Sequence, residues 1–203
     1  MIEHTIPCET YVRLAKLLDY DPMGDPWCKS VRLEDGYAIV TNRQMMVVER
    51  IDCPNPAPFH LVIDPVLLQA AETEAPMHSK LHITAIDAIK TASAKTTLGY
   101  SFTGNAGLYL DEMNVIDSWR ERVPTEIVAA SNGSMRLCLK SMQSLLATSP
   151  SGAVTFPEIV DWAKPVVVND EVDPNWFAVF FVRRGENPHN PARLPAWFKG
   201  VGA

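Results

Sequence analysis

The feature that most constrains the fold of this 203-residue chain is one order of predicted elements, which recurs about every 60 residues. Each recurrence holds a strand, a helix and three further strands. The predicted helices begin near Glu9, Val66 and Lys140, and alternating or β-branched apolar runs follow each of them. Recurrence at this spacing indicates duplication of one supersecondary unit. The predicted fold class is therefore α+β, with three repeated β-α-β-β-β units, antiparallel sheets and helices on one face.

Turn and cap residues set the limits of these elements. Glu34-Asp35-Gly36 predicts a hairpin turn, and Asp64 followed by Pro65 predicts the start of the second helix, which extends to Glu74. The first helix is predicted from Glu9 to about Tyr20, and Ser149–Gly152 is interpreted as a turn after the third helix. Met135–Leu139 is interpreted as a short strand or as the lead into that helix. The predicted strands are Trp27–Leu33, Tyr37–Thr41, Met45–Ile51, Phe59–Ile63, Lys80–Ile86, Ala88–Ser93, Thr97–Phe102, Ala153–Phe156, Lys164–Val168 and Trp176–Val182.

The domain organisation follows from the spacing of the units. A proline-rich spacer, Cys53–Pro58, separates the first two units. We expect residues 1–126 to form one complete domain with halves 1–55 and 58–126, residues 127–184 to form a third half-domain, and residues 185–203 to form an irregular tail.

Composition excludes several classes of protein. The net charge of −6 argues against a generally basic nucleic-acid binder, although a basic strip on one face remains compatible with it. No segment approaches the roughly 20 apolar residues of a membrane helix. The N-terminus has no basic region followed by an apolar run, and the four cysteines form no C-x-x-C pair. We therefore expect a cytoplasmic protein with reduced thiols.

The chain has no motif that predicts catalysis. It contains no phosphate-binding G-x-x-x-x-G-K-[ST] loop, no G-x-G-x-x-G and no G-x-S-x-G. His78 and His82 lie about 13 Å apart if they share a strand, too far to bind one metal, although His60 approaches them if it joins the same sheet. The acidic pairs Glu72/Glu74 and Asp170/Glu171 are expected to be solvated surface charges. We therefore predict no catalytic residue, no metal and no cofactor.

Four stretches resemble the DNA polymerase sliding clamps. Trp27–Arg50 resembles the clamp hairpin, in which a V-x-L-E-x-G strand and turn lead to a second strand pair. Phe59–Glu72 resembles the strand and P-x-x-L helix that open the second half of a clamp domain. Ser118–Glu126 resembles the interdomain linker, and Lys164–Arg184 resembles the closing strands of a domain.

The resemblance implies an assembly. Clamp domains consist of two strand–helix–three-strand halves and close into a ring with the helices on the inside and the sheets on the outer wall. Three halves make one and a half such domains, so the likeness is to a shortened clamp. We expect the third half to pair with the same half of another subunit or with a partner protein, because an open sheet edge and an apolar face otherwise remain.

Double-stranded DNA is the partner that the resemblance implies for the helices. A sliding ring needs cations on its inner helices to meet phosphates without reading bases. Arg13 and Lys16 share a face of the first helix, whereas the second helix carries no basic residue. The alternative for every such residue is a solvated surface charge. The candidate DNA-binding residues are Arg13, Lys16, Arg136, Lys140, Arg120 and Arg122.

The C-terminal tail offers a second candidate site. Leu194, Trp197 and Phe198 resemble the leucine-plus-aromatic pattern of peptides that bind sliding clamps, and aromatic anchors of this kind often dominate binding energy. Such a tail docks on a neighbouring subunit, on a polymerase or other replication protein, or simply on its own core.

Three functions remain open from the sequence. The leading one is a clamp-like, non-enzymatic DNA-binding protein, a phage or mobile-element relative of the polymerase processivity factor, which encircles or cradles DNA and tethers partners. The first alternative is a clamp-fold assembly or inhibitory protein that does not bind DNA, which the acidic second helix favours. The second alternative is an enzyme with a dispersed site.

Overall fold

The computed structural model describes residues 2–18, 29–42, 45–52, 59–86, 91–98, 101–102, 139–156 and 166–180. The chain divides into two compact units, which are described one at a time. Unit 1 comprises residues 1–41 and 48–112, and unit 2 comprises residues 42–47 and 113–203. The domain boundaries expected from the sequence stay a prediction.

The predicted fold class is confirmed, since the chain is α+β with antiparallel sheets and, in the described residues, three α-helices. The order β-α-β-β-β occurs twice, and the third helix is followed by three strands. The number of repeats stays a prediction, because residues 103–138 lie outside the described part. The elements are β1 (Ile2–Pro7), α1 (Cys8–Ala15), β2 (Ser30–Glu34), β3 (Tyr37–Thr41), β4 (Met45–Arg50), β5 (Phe59–Val62), α2 (Pro65–Glu74), β6 (Lys80–Ile86), β7 (Thr91–Thr96), β8 (Ser101–Phe102), α3 (Leu139–Thr148), β9 (Val154–Thr155), β10 (Val166–Asp170) and β11 (Trp176–Phe180).

The local signals form the predicted turn and cap. Asp35 and Gly36 join β2 to β3 with φ values of 47° and 83°, and two positive φ values suit the tight hairpin turn that matches strand twist. Asp64 caps α2, because its carboxylate accepts hydrogen bonds from the backbone N–H groups of Val66 at 2.8 Å and Leu67 at 3.1 Å.

The two sheets of unit 1 exchange their first strands. The first sheet has the order β1-β6-β7-β8, and within unit 1 the second has the order β5-β2-β3-β4. The strand before α1 therefore joins the three strands after α2, and the strand before α2 joins those after α1. The two exchanged strands make equivalent backbone hydrogen bonds where each ends. Cys8 N–H, directly after β1, donates to Ser79 O, and Ile63 N–H, directly after β5, donates to Lys29 O, both at 2.9 Å. Each half thus completes the sheet of the other.

The core of unit 1 lies where α1 and α2 pack against each other and on the sheets. Tyr11 and Leu14 of α1, Leu67 of α2 and Phe59 of β5 are buried. Fully burying a side chain of this kind contributes roughly 1.5–3 kcal/mol, so this contact between the helices is a main source of stability.

Unit 2 contains, in its described residues, α3, residues 42 and 45–47, and the strands β11-β10-β9. All five residues of β11 are buried, as its apolar sequence predicts, and Leu145 of α3 is buried as well. The predicted turn at Ser149–Gly152 is also present, with Gly152 at a φ of 73°.

Several predicted boundaries are wrong. β1 had no predicted counterpart. α1 ends at Ala15 instead of near Tyr20, because the N–H groups of Leu17 and Leu18 bond three residues back and tighten the last turn. The strand predicted at Ala88–Ser93 is instead β7, Thr91–Thr96. In place of the strand predicted at Thr97–Phe102, the structure has β8 at Ser101–Phe102. No helix in the described ranges is long and apolar enough to cross a membrane.

Candidate nucleic-acid interface

Helix α1 carries a largely buried arginine that is engaged with a carboxylate. Arg13 Nη2 lies 2.6 Å from both carboxylate oxygens of Glu49 on β4, and Arg13 Nη1 lies 3.6 Å from Glu9 Oε1. Thr10 Oγ1 also donates to Glu49 Oε1 at 2.7 Å. Glu49 is 5% exposed, so its charge must be balanced inside the protein, and Arg13 provides that balance.

Lys16 is the other candidate DNA-binding residue that the structure describes, and it is exposed directly after α1. The sequence placed Arg13 and Lys16 together on one face. The structure places Arg13 in α1 and Lys16 at its C-cap, and gives them different surroundings, since Arg13 meets Glu49 and Lys16 faces solvent. Their role in DNA binding stays a prediction.

α2 presents an acidic outer surface. Its exposed positions include Val66, Gln69, Glu72 and Thr73, and the helix contains no lysine or arginine. Across α1, its C-cap and α2, the exposed charged side chains are Glu9, Lys16 and Glu72. These two helices therefore carry little of the positive charge that attracts phosphates.

Glu74, the last residue of α2, is buried instead of solvated as the sequence predicted. Ser79 Oγ and Thr96 Oγ1 donate to its two carboxylate oxygens at 2.7 Å and 2.5 Å. Burial raises the pKa of Glu74, but these hydrogen bonds and one from the Leu98 N–H outweigh it and lower the pKa below its ordinary value. The carboxylate fixes the end of α2 to the edge of the β6–β7 pair.

The neighbouring Cys8 belongs to the same buried region at the start of α1. Burial is the main cause that raises the pKa of the Cys8 thiol, and the Glu74 carboxylate adds to it, against the hydrogen bond with Ser79. A buried thiol with a raised pKa is a poor nucleophile. Cys8 is therefore a packed residue of the core.

Asp170 in unit 2 is likewise buried where the sequence predicted a solvated charge. Its carboxylate accepts from the Ser149 hydroxyl and from the N–H groups of Ser151 at 2.9 Å and of Val172 and Asp173 at 2.8 Å. Burial opposes ionisation, but the four hydrogen bonds lower the pKa of Asp170 to about 2. Asp170 thereby joins the turn after α3 to the turn after β10.

His60 and His82 belong to different sheets. His60 lies on β5, within hydrogen-bond reach of Ser30 Oγ at 3.3 Å, whereas His82 lies on β6 in the other sheet, 3.2 Å from Thr97 Oγ1. The interpretation that His60 approaches His82 within one sheet is therefore wrong. No cluster of three or more potential metal ligands occurs in the ranges that the structure describes.

Exposed lysines of unit 1 lie on the solvent side of a sheet. Lys80 on β6 and Lys95 on β7 are exposed, while Leu81 and Ala94, which alternate with them, are buried. These lysines therefore point away from the buried face of the first sheet.

The other candidate residues cannot be placed. Lys140 lies in α3, but its side chain is outside the described part, and six further candidate residues lie outside that part as well. They are Arg120, Arg122, Arg136 and the tail residues Leu194, Trp197 and Phe198. All of them stay predictions.

The fold defined by the exchanged strands and paired helices is that of the DNA sliding clamps, and the resemblance inferred from the sequence is confirmed. The similar solved structures are DNA polymerase III beta subunits. That of Thermotoga maritima has a TM-score of 0.54 at 12% identity and covers 96% of this chain. Those of Eubacterium rectale and Pseudomonas aeruginosa each have a TM-score of 0.52, at 9% and 12% identity, and cover 92% and 91% of this chain.

The match is to part of each clamp. The chain spans 66% of the length of each of these three subunits. No protein-family model and no curated protein sequence matches the chain. At these identities, the comparison establishes the fold alone.

Proposed function

We propose that this chain is a non-catalytic, sliding-clamp-like protein that encircles or cradles double-stranded DNA and tethers a replication partner. The observation that supports the proposal is the clamp fold, which extends over 96% of the chain in the comparison with the Thermotoga maritima subunit. In this proposal the protein is a shortened processivity factor of a phage or mobile element and works in the cytoplasm.

The first test is the salt dependence of binding to double-stranded DNA. Contact with phosphates releases counterions, so the affinity should fall steeply as salt rises, with a slope of about −0.9 per phosphate contacted on a log–log plot. Binding should also be independent of sequence, because backbone contacts carry no base information. A protein that fails to bind at low salt contradicts the proposal.

A pair of charge reversals locates the contact. Lys16→Glu changes an exposed residue directly after α1, and Lys95→Glu makes the same change in charge on the solvent side of a sheet. If the helices face DNA, Lys16→Glu should reduce the affinity for DNA several-fold and make the log–log salt slope shallower by about 1. Lys95→Glu should then change neither quantity by much. Equal losses in both variants would indicate general electrostatic attraction. Arg13 is unsuitable for this purpose, because its replacement also leaves the buried negative charge of Glu49 without the cation that balances it.

A topological test separates encirclement from ordinary binding. A closed assembly should stay on nicked circular DNA when salt removes phosphate contacts, and it should be lost when a restriction enzyme makes the circle linear. Equal retention on circular and linear DNA would support a cradle instead of a ring.

The surface of the helices favours a second candidate function. The exposed charges of α1, its C-cap and α2 are two glutamates and one lysine, and Arg13 is already engaged by Glu49. A clamp-fold assembly or inhibitory protein that does not bind DNA accounts for this surface. Binding to a clamp subunit or a polymerase in the absence of any DNA binding would establish it.

A further inference from the structure

Equivalent positions in the two sheets of unit 1 differ in their exposure to solvent. The third residue of β2 is Arg32, which is 3% exposed, and Ile39, which faces it on β3, is 2% exposed. The third residue of β6 is His82, which faces Lys95 on β7, and both of these side chains are exposed. The first sheet therefore has an open polar face where the second sheet is covered.

The cationic side chains of this open face are close neighbours. Lys80 and His82 are two residues apart on β6 and lie on the same side of the strand, about 7 Å from each other. Lys95 is directly opposite His82 and diagonal to Lys80, at roughly 7–8 Å. Like charges on neighbouring strands repel each other. An anion that lies across the two lysines removes this repulsion.

The two lysines are not neutralised by carboxylates. No ion pair within the described residues involves Lys80 or Lys95. At the described positions on this side of β1, β6 and β7, the acidic residue is Glu3, which faces Thr84 at the end of the face remote from Lys80. The face is thus a local exception in a chain of net charge −6, and a local field of this sign attracts anions.

Two exposed apolar side chains border the cations. Met77 lies just before β6 and Leu98 just after β7, at the same end of the strand pair, and they are 57% and 58% exposed. Apolar groups beside cations suit a protein segment better than a nucleic acid, which is recognised through its phosphates and through bases that stack on aromatic rings. The outward positions that the structure describes in β1, β6 and β7 hold no phenylalanine, tyrosine or tryptophan.

We propose that the basic sheet face, defined by Lys80, His82 and Lys95 with Met77 and Leu98 at its end, binds an extended acidic segment of a partner protein. Alternate residues of an extended segment have the spacing of Lys80 and His82, so carboxylates at every second position meet the cations. An apolar residue at the end of the segment contacts Met77 and Leu98. The basic sheet face is additional to the DNA contact of the proposed function, and it stands whether or not the chain binds DNA.

The first experiment measures the affinity for an acidic peptide by fluorescence anisotropy. The probe is a labelled peptide in which glutamate alternates with threonine and a leucine stands at each end. Lys80→Gln/Lys95→Gln should weaken binding about fivefold, because it removes two exposed ion pairs. Wild-type protein that does not bind the peptide, or that binds a peptide with glutamine in place of glutamate equally well, overturns the proposal.

A matched double variant controls for net charge. Lys29→Gln/Arg50→Gln also removes two positive charges, but at the start of β2 and the end of β4 in the second sheet. At an ionic strength of about 0.1 M, charges more than about 10 Å away are largely screened, so this variant should bind the peptide like the wild type. Equal losses in the two double variants would overturn the proposal.

Leu98→Ser tests the apolar border of the face. It should weaken binding of the leucine-ended peptide about threefold, because the exposed side chain then offers less apolar area to the leucine. It should leave the affinity for the same peptide without leucine unchanged. A loss of the same size with both peptides would contradict the assigned contact.

DNA titrations with the same variants separate this contact from the proposed function. Lys80→Gln/Lys95→Gln should bind single-stranded and double-stranded DNA as the wild type does while it loses affinity for the peptide. A loss of DNA affinity with no effect on the peptide would assign the face to nucleic acid and overturn the proposal. Wild-type protein that binds the peptide but no DNA would contradict the proposed function and support the acidic contact.

Discussion

Two buried carboxylates of unit 1 are stabilised in different ways. Glu49 on β4 meets the guanidinium of Arg13 and the hydroxyl of Thr10, so an opposite charge balances it. Glu74 at the end of α2 accepts from the hydroxyls of Ser79 and Thr96, which are neutral donors. The comparison indicates that the carboxylate of Glu49 is stabilised by the opposite charge of Arg13, whereas that of Glu74 is stabilised by several neutral dipoles.

The largest expected effect is at the charged site. Arg13→Met should lower the free energy of unfolding by about 3–5 kcal/mol, because it leaves Glu49 buried without a balancing charge. Urea unfolding followed by circular dichroism measures the change. Lys16→Met, at the exposed C-cap of the same helix, is the matched control and should change stability by less than about 0.5 kcal/mol.

The double variant Arg13→Met/Glu49→Met sharpens this result. Removing both charges should recover much of the loss, because apolar side chains of similar volume often replace a buried ion pair at little cost. Equal losses in the single and double variants would show that packing, not charge, is what Arg13 contributes.

The second-largest expected effect concerns Asp170 in unit 2, a buried carboxylate that neutral donors stabilise. The pKa of Asp170 is lowered to about 2 in the folded state, below the 3.8 of an ordinary aspartate, so its contribution is fully present above pH 4 and is lost as the pH falls toward 2. Asp170→Asn should therefore lower stability by roughly 2 kcal/mol at neutral pH. The difference from wild type should shrink as the pH falls through this window. A difference that does not change with pH would contradict the assigned cause.

The pH dependence of Glu74 has the same sign. Its pKa is also lowered on folding, so its contribution is present above the unfolded pKa near 4.5 and declines as the pH falls through the lower folded pKa. The variant Glu74→Gln should lose this dependence, and Glu72→Gln on the exposed side of α2 should retain it. Unfolding curves recorded at a series of acidic pH values provide the measurement.

The smallest effect compares the two sites of unit 1 directly through one substitution. Thr96→Val removes the hydroxyl that donates to Glu74, whose charge is stabilised by neutral donors. It should lower the free energy of unfolding by about 2 kcal/mol. Thr10→Val removes the hydroxyl that donates to Glu49 but leaves Arg13 in place. It should lower the free energy of unfolding by about 1 kcal/mol. Chemical denaturation of both variants reports the difference. An equal or larger loss in Thr10→Val would remove the distinction between the sites.

The sequence predicts the fold where turn chemistry and periodicity agree. The hairpin at Asp35 and Gly36 and the cap at Asp64 are local features, and both occur as predicted. β1 escaped prediction because His4 and Thr5 interrupt its apolar residues, although His4 is buried and stacks on Phe59 at 5.6 Å. The boundaries near β7 were misplaced because residues 84–98 alternate small apolar and polar side chains without a decisive turn signal.

The buried carboxylates were harder to predict, because their partners are distant in sequence. One signal existed for Glu74, which lies at helical spacing from Leu67, Ala70 and Ala71 and therefore on the buried stripe of α2. Glu49 offered no comparable signal, since Thr10 and Arg13 belong to another element. Asp170 has local donors in the N–H groups of Val172 and Asp173, but its contacts with Ser149 and Ser151 required the fold. For the candidate site, the sequence offered basic residues but not their surroundings. That Arg13 pairs with Glu49, 36 residues away in sequence, could be learned only from the structure.

The exchange of first strands between the halves of unit 1 has a consequence for how the chain acquires its structure. β1 is synthesised before β6 and can pair with it only after the rest of the first half, β5 and α2 have followed. Loop-closure entropy opposes such remote pairing, so folding should be slow and cooperative across both halves instead of stepwise. Neither half is then an autonomous module, and two fragments separated at the proline-rich spacer should become ordered only when mixed.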